Sequence, residues 1–245
     1  MDLVKILVGV ILPYVAVLVF LVGMIYRLST WKNLASPPMT LFPAPPTGRS
    51  NTINTLEEAF LFKSLFSGDR VLWILAWTFH AVLALIVLGH FRVFTSLIDS
   101  MLKGLGMSED GIHLMSGGAG GAAGLVILAA VVLLLIRRMA LPRVREITGT
   151  ADYLALLLIT AIIITGNMMR FCYPEQYKHF LTHTREYFGN LLTFSLSGIT
   201  EMHALGDNLF LVHMCLAFVL IMLIPFSKIL HLGGIFFTHQ LIRKQ

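Results

Sequence analysis

Four histidines stand in two strongly apolar stretches. WTFHAVLALIVLGH, residues 77–90, carries His80 and His90. LFLVHMCLAFVLIMLIPFSKILH, residues 209–231, carries His213 and His231. An imidazole in hydrocarbon is costly unless something satisfies it, so a polar group there marks a functional site by default. Neutral imidazole is an axial ligand for haem iron. With one imidazole on each face the iron keeps no open position, and its chemistry becomes electron transfer. No C-x-x-C-H motif occurs, so the expected groups are two non-covalent haems b.

That chemistry requires a membrane, and the composition supplies one. Apolar residues make up 57% of the 245 and charged residues 13%, with a mean hydropathy of +0.82. A soluble domain carries about 25% charged residues. The expected fold class is therefore an all-α integral membrane protein. The net charge of +5 reads as membrane topology and calls for no nucleic acid. Cys172 and Cys215 are the only cysteines, too few for a disulfide framework, a zinc ribbon or an iron–sulphur ligand set. Iron–sulphur chemistry, if present, belongs to a partner. Cys215, in an apolar run, reads as a small core residue.

Five apolar runs are each near the ~20 residues that cross a bilayer as a helix. They are 3–26, 71–91, 118–136, 151–169 and 209–230, within a single domain over 1–245. The first is too long for a signal-peptide core and is followed by Arg27 and Lys32, as at the end of a retained span. A five-helix bundle with the N-terminus outside places twelve of the eighteen Lys and Arg residues inside, so the expected topology is N-out/C-in. The short loop RRMALPRVRE is its clearest support.

The inner loop 27–70 contains SPPMTLFPAPPTG, an extended linker or a docking strap for an inner protein. LEEAFLFKSLF follows as a candidate interfacial helix. The outer loop 170–208 holds HFLTHTREYFGNLLTFSLSG, a second candidate interfacial helix capping the bundle. In it His179 and His183 share a helix face, but no carboxylate or cysteine cluster completes a metal site. SGGAGGAAG, residues 116–124, lacks the Lys and Ser/Thr of a phosphate loop. Its small residues instead let helices approach closely in lipid, or leave room for a flat cofactor.

Antiparallel crossing fixes a depth order. His80 is inner and His90 outer on the second helix; His213 is outer and His231 inner on the fifth. The order pairs His90 with His213 and His80 with His231. The intervals conflict: ten residues of helix rise about 15 Å and eighteen about 27 Å. Tilt, haem inclination or a bend at Pro225 would absorb the difference. His203, ten residues before His213, is a rival ligand lying ahead of the apolar run.

Five crossings with histidine pairs in the second and fifth, at intervals of ten and eighteen, resemble the cytochrome b, or gamma, subunit family of respiratory nitrate reductase. Gly89–His90 looks like that family's outer-haem ligand site. ILPYVAVLVFLVGMIYRL and the LFPAPP stretch are more similar to the branch found in the sulphite-reductase-associated membrane complex. The resemblance implies a prokaryotic inner (cytoplasmic) membrane and a redox subunit of a quinol-dependent oxidoreductase complex. It implies menaquinone or ubiquinone exchange near the outer haem, with Gly89 and His90 at the quinone pocket edge. Electrons would pass inward to an iron–sulphur partner of the heterodisulfide-reductase type; the nitrate reductase form implies a different inner partner. Further membrane and outer-side redox subunits are consistent with such a complex.

Lys103, Asp110 and His113 lie in the outer loop where the family places a basic quinone-site residue, though the local pattern departs from it. Arg137, Arg138 and Arg92 stand where they would meet haem propionates, and topology explains them equally. Two other classes stay open. One is a structural anchor poor in haem. The other is a transporter, which calls for broken helices or a polar path, and no inverted repeat is visible.

Overall fold

The computed structural model describes residues 3–32, 51–173, 180–195 and 207–231. The Pro-rich stretch, His179, His203 and the C-terminal tail lie outside the described residues. All regular structure among the described residues is helical. The elements are α1 (Leu3–Ile6), α2 (Leu12–Lys32), α3 (Asn51–Leu61), α4 (Lys63–Gly68), α5 (Arg70–His90), α6 (Leu97–Gly104), α7 (Glu109–Ala140), α8 (Pro142–Glu146), α9 (Thr150–Phe171), α10 (Phe180–Leu192) and α11 (Asn208–Leu223).

Five stretches are long and apolar enough to cross a membrane: Leu3–Trp31, Arg70–Val93, Glu109–Ala140, Thr150–Phe171 and Asn208–Phe226. Many large apolar side chains on them face outward, including Leu18, Val22, Leu85, Leu125 and Leu154. In water that surface would aggregate; in lipid it is the expected exterior. The chain is a multi-pass membrane protein built as an all-α, five-helix bundle.

Packing runs in sequence around the bundle: α5 against α7, α7 against α9, α9 against α11, and α11 against α2. The α7–α9 seam depends on missing side chains. A Cβ on Gly124 would collide with Asn167 Oδ1, and one on Gly120 would lie 2.8 Å from an Arg170 nitrogen. Asn167 and Arg170 use that closeness to donate to backbone carbonyls of α7, Asn167 to Gly124 at 2.9 Å and Arg170 to Gly117 at 2.9 Å. The glycine-rich stretch thus serves helix approach, and it lies well inside α7. This helix begins at Glu109, where Ser108 caps it by accepting from Gly111 N at 3.1 Å and Glu109 and Asp110 favour its positive end. Asp110 and His113 are therefore helical residues and not part of a loop.

The first crossing carries a π-helical turn, Leu7–Ile11, just before Pro13. Proline has no N–H, so the helix leaves the Gly9 carbonyl without its usual donor. Tyr187 of α10 supplies one, donating to Gly9 O at 2.6 Å from a fully buried position. Tyr14 donates in return to Leu191 O at 2.9 Å. Burial pushes the Tyr187 phenol above its ordinary value, so it remains a donor across the accessible pH range. The expected interfacial helix is α10, and these bonds dock it on the first crossing.

The fifth crossing does not run as one helix to residue 230. The α-helix ends at Leu223 and passes into a 3-10 turn, Ile224–Phe226. Ser227 is extended, and a second 3-10 turn, Lys228–Leu230, leads to His231. α2 makes room for this break. A Cβ on Gly23 would lie 2.7 Å from Pro225 Cβ and 2.9 Å from the Phe226 ring. Arg27 Nε donates to Pro225 O at 2.8 Å, satisfying a carbonyl the broken helix frees.

Replacing Tyr187 by Phe leaves the Gly9 carbonyl buried without a donor. Such a loss costs about 1–3 kcal/mol. The variant is expected to unfold at a lower temperature than wild type in the same detergent, and an unchanged Tm would contradict the docking role.

Candidate functional site: two histidine pairs

The break in the fifth crossing brings the four histidines into register. His80 and His231 have ring centres 5.7 Å apart, with planes at 89°. His90 and His213 have ring centres 6.5 Å apart, with planes at 18°. A straight helix would carry His231 about 27 Å along its axis from His213. The extended Ser227 and the two 3-10 turns interrupt that straight path between His213 and His231, and both pairs still meet.

Each ring is anchored by one nitrogen. His80 Nδ1 lies 2.7 Å from Ala76 O, His90 Nδ1 lies 2.7 Å from Ile86 O, and His231 Nδ1 lies 2.9 Å from Lys228 O. A carbonyl only accepts, so Nδ1 is the donor in each contact, and in a neutral ring that leaves Nε2 its lone pair. His213 differs: its Nδ1 lies 2.9 Å from Thr165 Oγ1 on α9. That hydroxyl donates to the Ala161 and Ile162 carbonyls, each at 3.0 Å, so its oxygen accepts from His213 Nδ1. With the Thr165 proton placed on its own helix, all four rings are assigned the Nδ1–H tautomer, and no Nε2 among them has a hydrogen-bond partner among the described residues.

This arrangement fits a metal group that brings its own equatorial ligands. Metal–imidazole bonds are ~2.0 Å, so an ion between two imidazoles holds their centres about 6 Å apart. Both pairs stand near that separation. No cluster of three or more His, Cys, Asp and Glu suited to a metal occurs among the described residues, so two imidazoles are all that either pair offers. A tetrapyrrole is a group that would supply the remaining donors. α5 and α11 are not among the closely packed helix pairs, and their histidines reach across between them. Gly89 faces open space, and Gly166 lies so close to His213 that a Cβ there would sit 3.3 Å from its Cε1.

Aromatic groups shield the first pair. Phe62 sets the edge of its ring against His80, with centres 5.2 Å apart. It does so from a left-handed backbone, φ 50°, at the junction of α3 and α4. Two indoles hold that junction: Trp73 donates to Leu61 O at 2.7 Å and Trp77 to Phe60 O at 3.0 Å. At this end of the bundle Asp69 caps α5 by accepting from Leu72 N at 2.8 Å, and also accepts from Arg137 at 2.5 Å. These contacts hold the Asp69 carboxyl below its ordinary value, the Leu72 N–H chief among them. Arg138 lies 3.9 Å from Asp152, which also pairs with Lys228 at 2.7 Å.

The second pair lies towards a different ion cluster. Arg92, two residues after His90 and only 8% exposed, donates to Asp99 at 2.5 Å and to Ser116 Oγ at 2.5 Å. Arg185 of α10 donates to the other Asp99 oxygen at 2.9 Å and to the Arg92 carbonyl at 2.9 Å. Burial alone would raise the Asp99 carboxyl, but the hydrogen bonds from Arg92 and Arg185 outweigh it and leave the group below the usual 3.8. Arg92 and Arg137 are thus engaged by carboxylates of this chain. A small cleft beside the cluster is lined by Arg92, Asp99, Lys103, Glu109, Ile112 and His113. It gathers Lys103 and His113 but not Asp110.

Thr165, Asp99, Arg185 and Phe62 are site residues that the sequence did not mark. Thr165–Gly166, a small polar pair in an apolar run, was the available signal for the first. The others depend on contacts between segments far apart in the chain.

The sequence pattern of the nitrate reductase gamma subunit family matches residues 62–244, which include all four histidines. The chain belongs to that family. Among its relatives is the Hdr-like menaquinol oxidoreductase cytochrome b-like subunit of Archaeoglobus fulgidus, 33% identical over 94% of this chain and 77% of the relative. The protein of the same name from Archaeoglobus profundus is 27% identical over 93% of this chain and 76% of the relative.

Asp99 carries a pH consequence. Its carboxyl is depressed in the folded state, so its ionised form stabilises the fold above the usual 3.8, and that contribution is lost as pH falls through its lower folded value. Asp99→Asn is expected to be less stable than wild type at neutral pH, with the gap closing in acid. Thermal unfolding across pH checks this; a gap that widens in acid would contradict it.

Proposed function

We propose that the chain is the dihaem cytochrome b subunit of a membrane oxidoreductase complex, formed as one domain over residues 1–245. His80 and His231 hold one haem b, and His90 and His213 hold the other. Bound there, the two haems supply one-electron carriers at two depths of the bilayer. The observation that carries the reading is the pairing itself: two sets of facing imidazoles, each ring with Nδ1 tied and Nε2 free among the described residues.

The positive-inside bias supports an N-out/C-in arrangement in the prokaryotic inner membrane. His90 and His213 are then outer, and His80 and His231 inner. Gly89, facing open space beside His90, suits the edge of a quinone pocket. Menaquinol, which figures in the relatives' names, or ubiquinol is the substrate class. His113 and Lys103 line the cleft by the Arg92–Asp99 ion pair, on the side this topology makes outer, and are the polar groups offered to quinol there. Electrons leave inward to an iron–sulphur partner, which the term Hdr-like and the two-cysteine content both favour as a separate, heterodisulfide-reductase-like chain. The first-helix ILPY stretch and the LFPAPP loop favour the sulphite-reductase-associated branch, with additional membrane and outer-side redox subunits.

Reduced-minus-oxidised spectra test the ligand sets. His90→Ala and His213→Ala are expected to remove the same haem, and His80→Ala and His231→Ala the other. Wild-type protein lacking haem absorption would leave a structural anchor. Four variants that each retain two haems would overturn the assignment.

A further inference from the structure

Three of the four histidines lean on a carbonyl three or four residues earlier in their own segment. His213 alone is held by a side chain from another helix. We propose that Thr165 is the positioning residue of the outer site, fixing the His213 ring and setting the electron donation of its Nε2. The inference rests on the reading of His213 as a haem ligand.

The geometry defines the role. Thr165 Oγ1 spends its single proton on carbonyls of its own helix, Ala161 and Ile162, both at 3.0 Å. Its lone pair is thereby turned to His213 Nδ1 at 2.9 Å. The neighbouring residue is Gly166, where any side chain would begin 3.3 Å from His213 Cε1. One residue therefore bonds the ring while the next leaves space for it. The Ile162 backbone also meets the His213 ring, and Thr165 is its side-chain anchor. Backbone carbonyls alone anchor the other three rings, so no single side-chain substitution removes those bonds. His213 is the site where one change in sequence adjusts a ligand without replacing it.

The sign follows from the bond. An acceptor on Nδ1–H shifts charge into the ring and makes Nε2 a stronger donor. Stronger donation favours oxidised over reduced iron, which lowers the midpoint potential. Thr165→Val has nearly the same shape and no acceptor. It should raise the potential of the outer haem and leave the inner one unchanged.

The test is an optical redox titration of wild type, Thr165→Val and Thr165→Ser in the assembled complex. An upward shift confined to the His90/His213 haem, with the serine variant returning to wild type, is expected. If the valine variant does not accumulate, Thr165→Ala carries the same comparison. Two haems whose potentials are unmoved, or moved together, would overturn the positioning role. Wild-type complex without haem would instead overturn the ligand reading on which it rests.

Discussion

An imidazole in a bilayer has two nitrogens to satisfy, and this chain attends to one. Nδ1 of each of the four rings is bonded within the bundle, by a carbonyl in three cases and by a hydroxyl in the fourth. Hydrocarbon offers no water to the other nitrogen. A lone buried histidine would settle that cost with a protein acceptor; here the rings come in close pairs between two helices that are not among the closely packed ones. On the proposed reading, the open Nε2 positions are what the bundle is built to present.

Meeting that need at two depths shapes the helices themselves. α5 carries its histidines ten residues apart on a regular helix, while those of the fifth crossing are eighteen apart. The bundle resolves the mismatch by ending α11 at Leu223 and turning the chain at Pro225 and Ser227. Gly23 yields the space and Arg27 satisfies the freed carbonyl. A proline also disturbs the first crossing, and there Tyr187 supplies the missing bond. Each departure from regular helix is answered by a side chain from a different segment, as a low-dielectric surround requires.

The five crossings and the pairing of the histidines were legible because they depend on local quantities: run length, apolar content and order along antiparallel helices. Pro225 marked the bend, but Ser227 and Gly23 did not announce themselves. Neither did the start of α7, although Ser108 followed by Glu109 and Asp110 is a helix-cap signature. The apolar run begins at Gly118, and hydropathy alone drew the boundary there. Thr165, Asp99 and Arg185 were hidden for a different reason. Thr165 meets His213 across 48 residues and Arg185 meets Asp99 across 86, and a single sequence does not reveal which polar residues of separate segments meet.

The central claim is that each histidine pair grips one tetrapyrrole. A cryo-electron microscopy map of the assembled complex, resolved well enough to place the imidazoles, tests it most directly. Planar density with a central metal between His80 and His231, and again between His90 and His213, is the expected result. Rings that touch only protein or lipid in both places would contradict it.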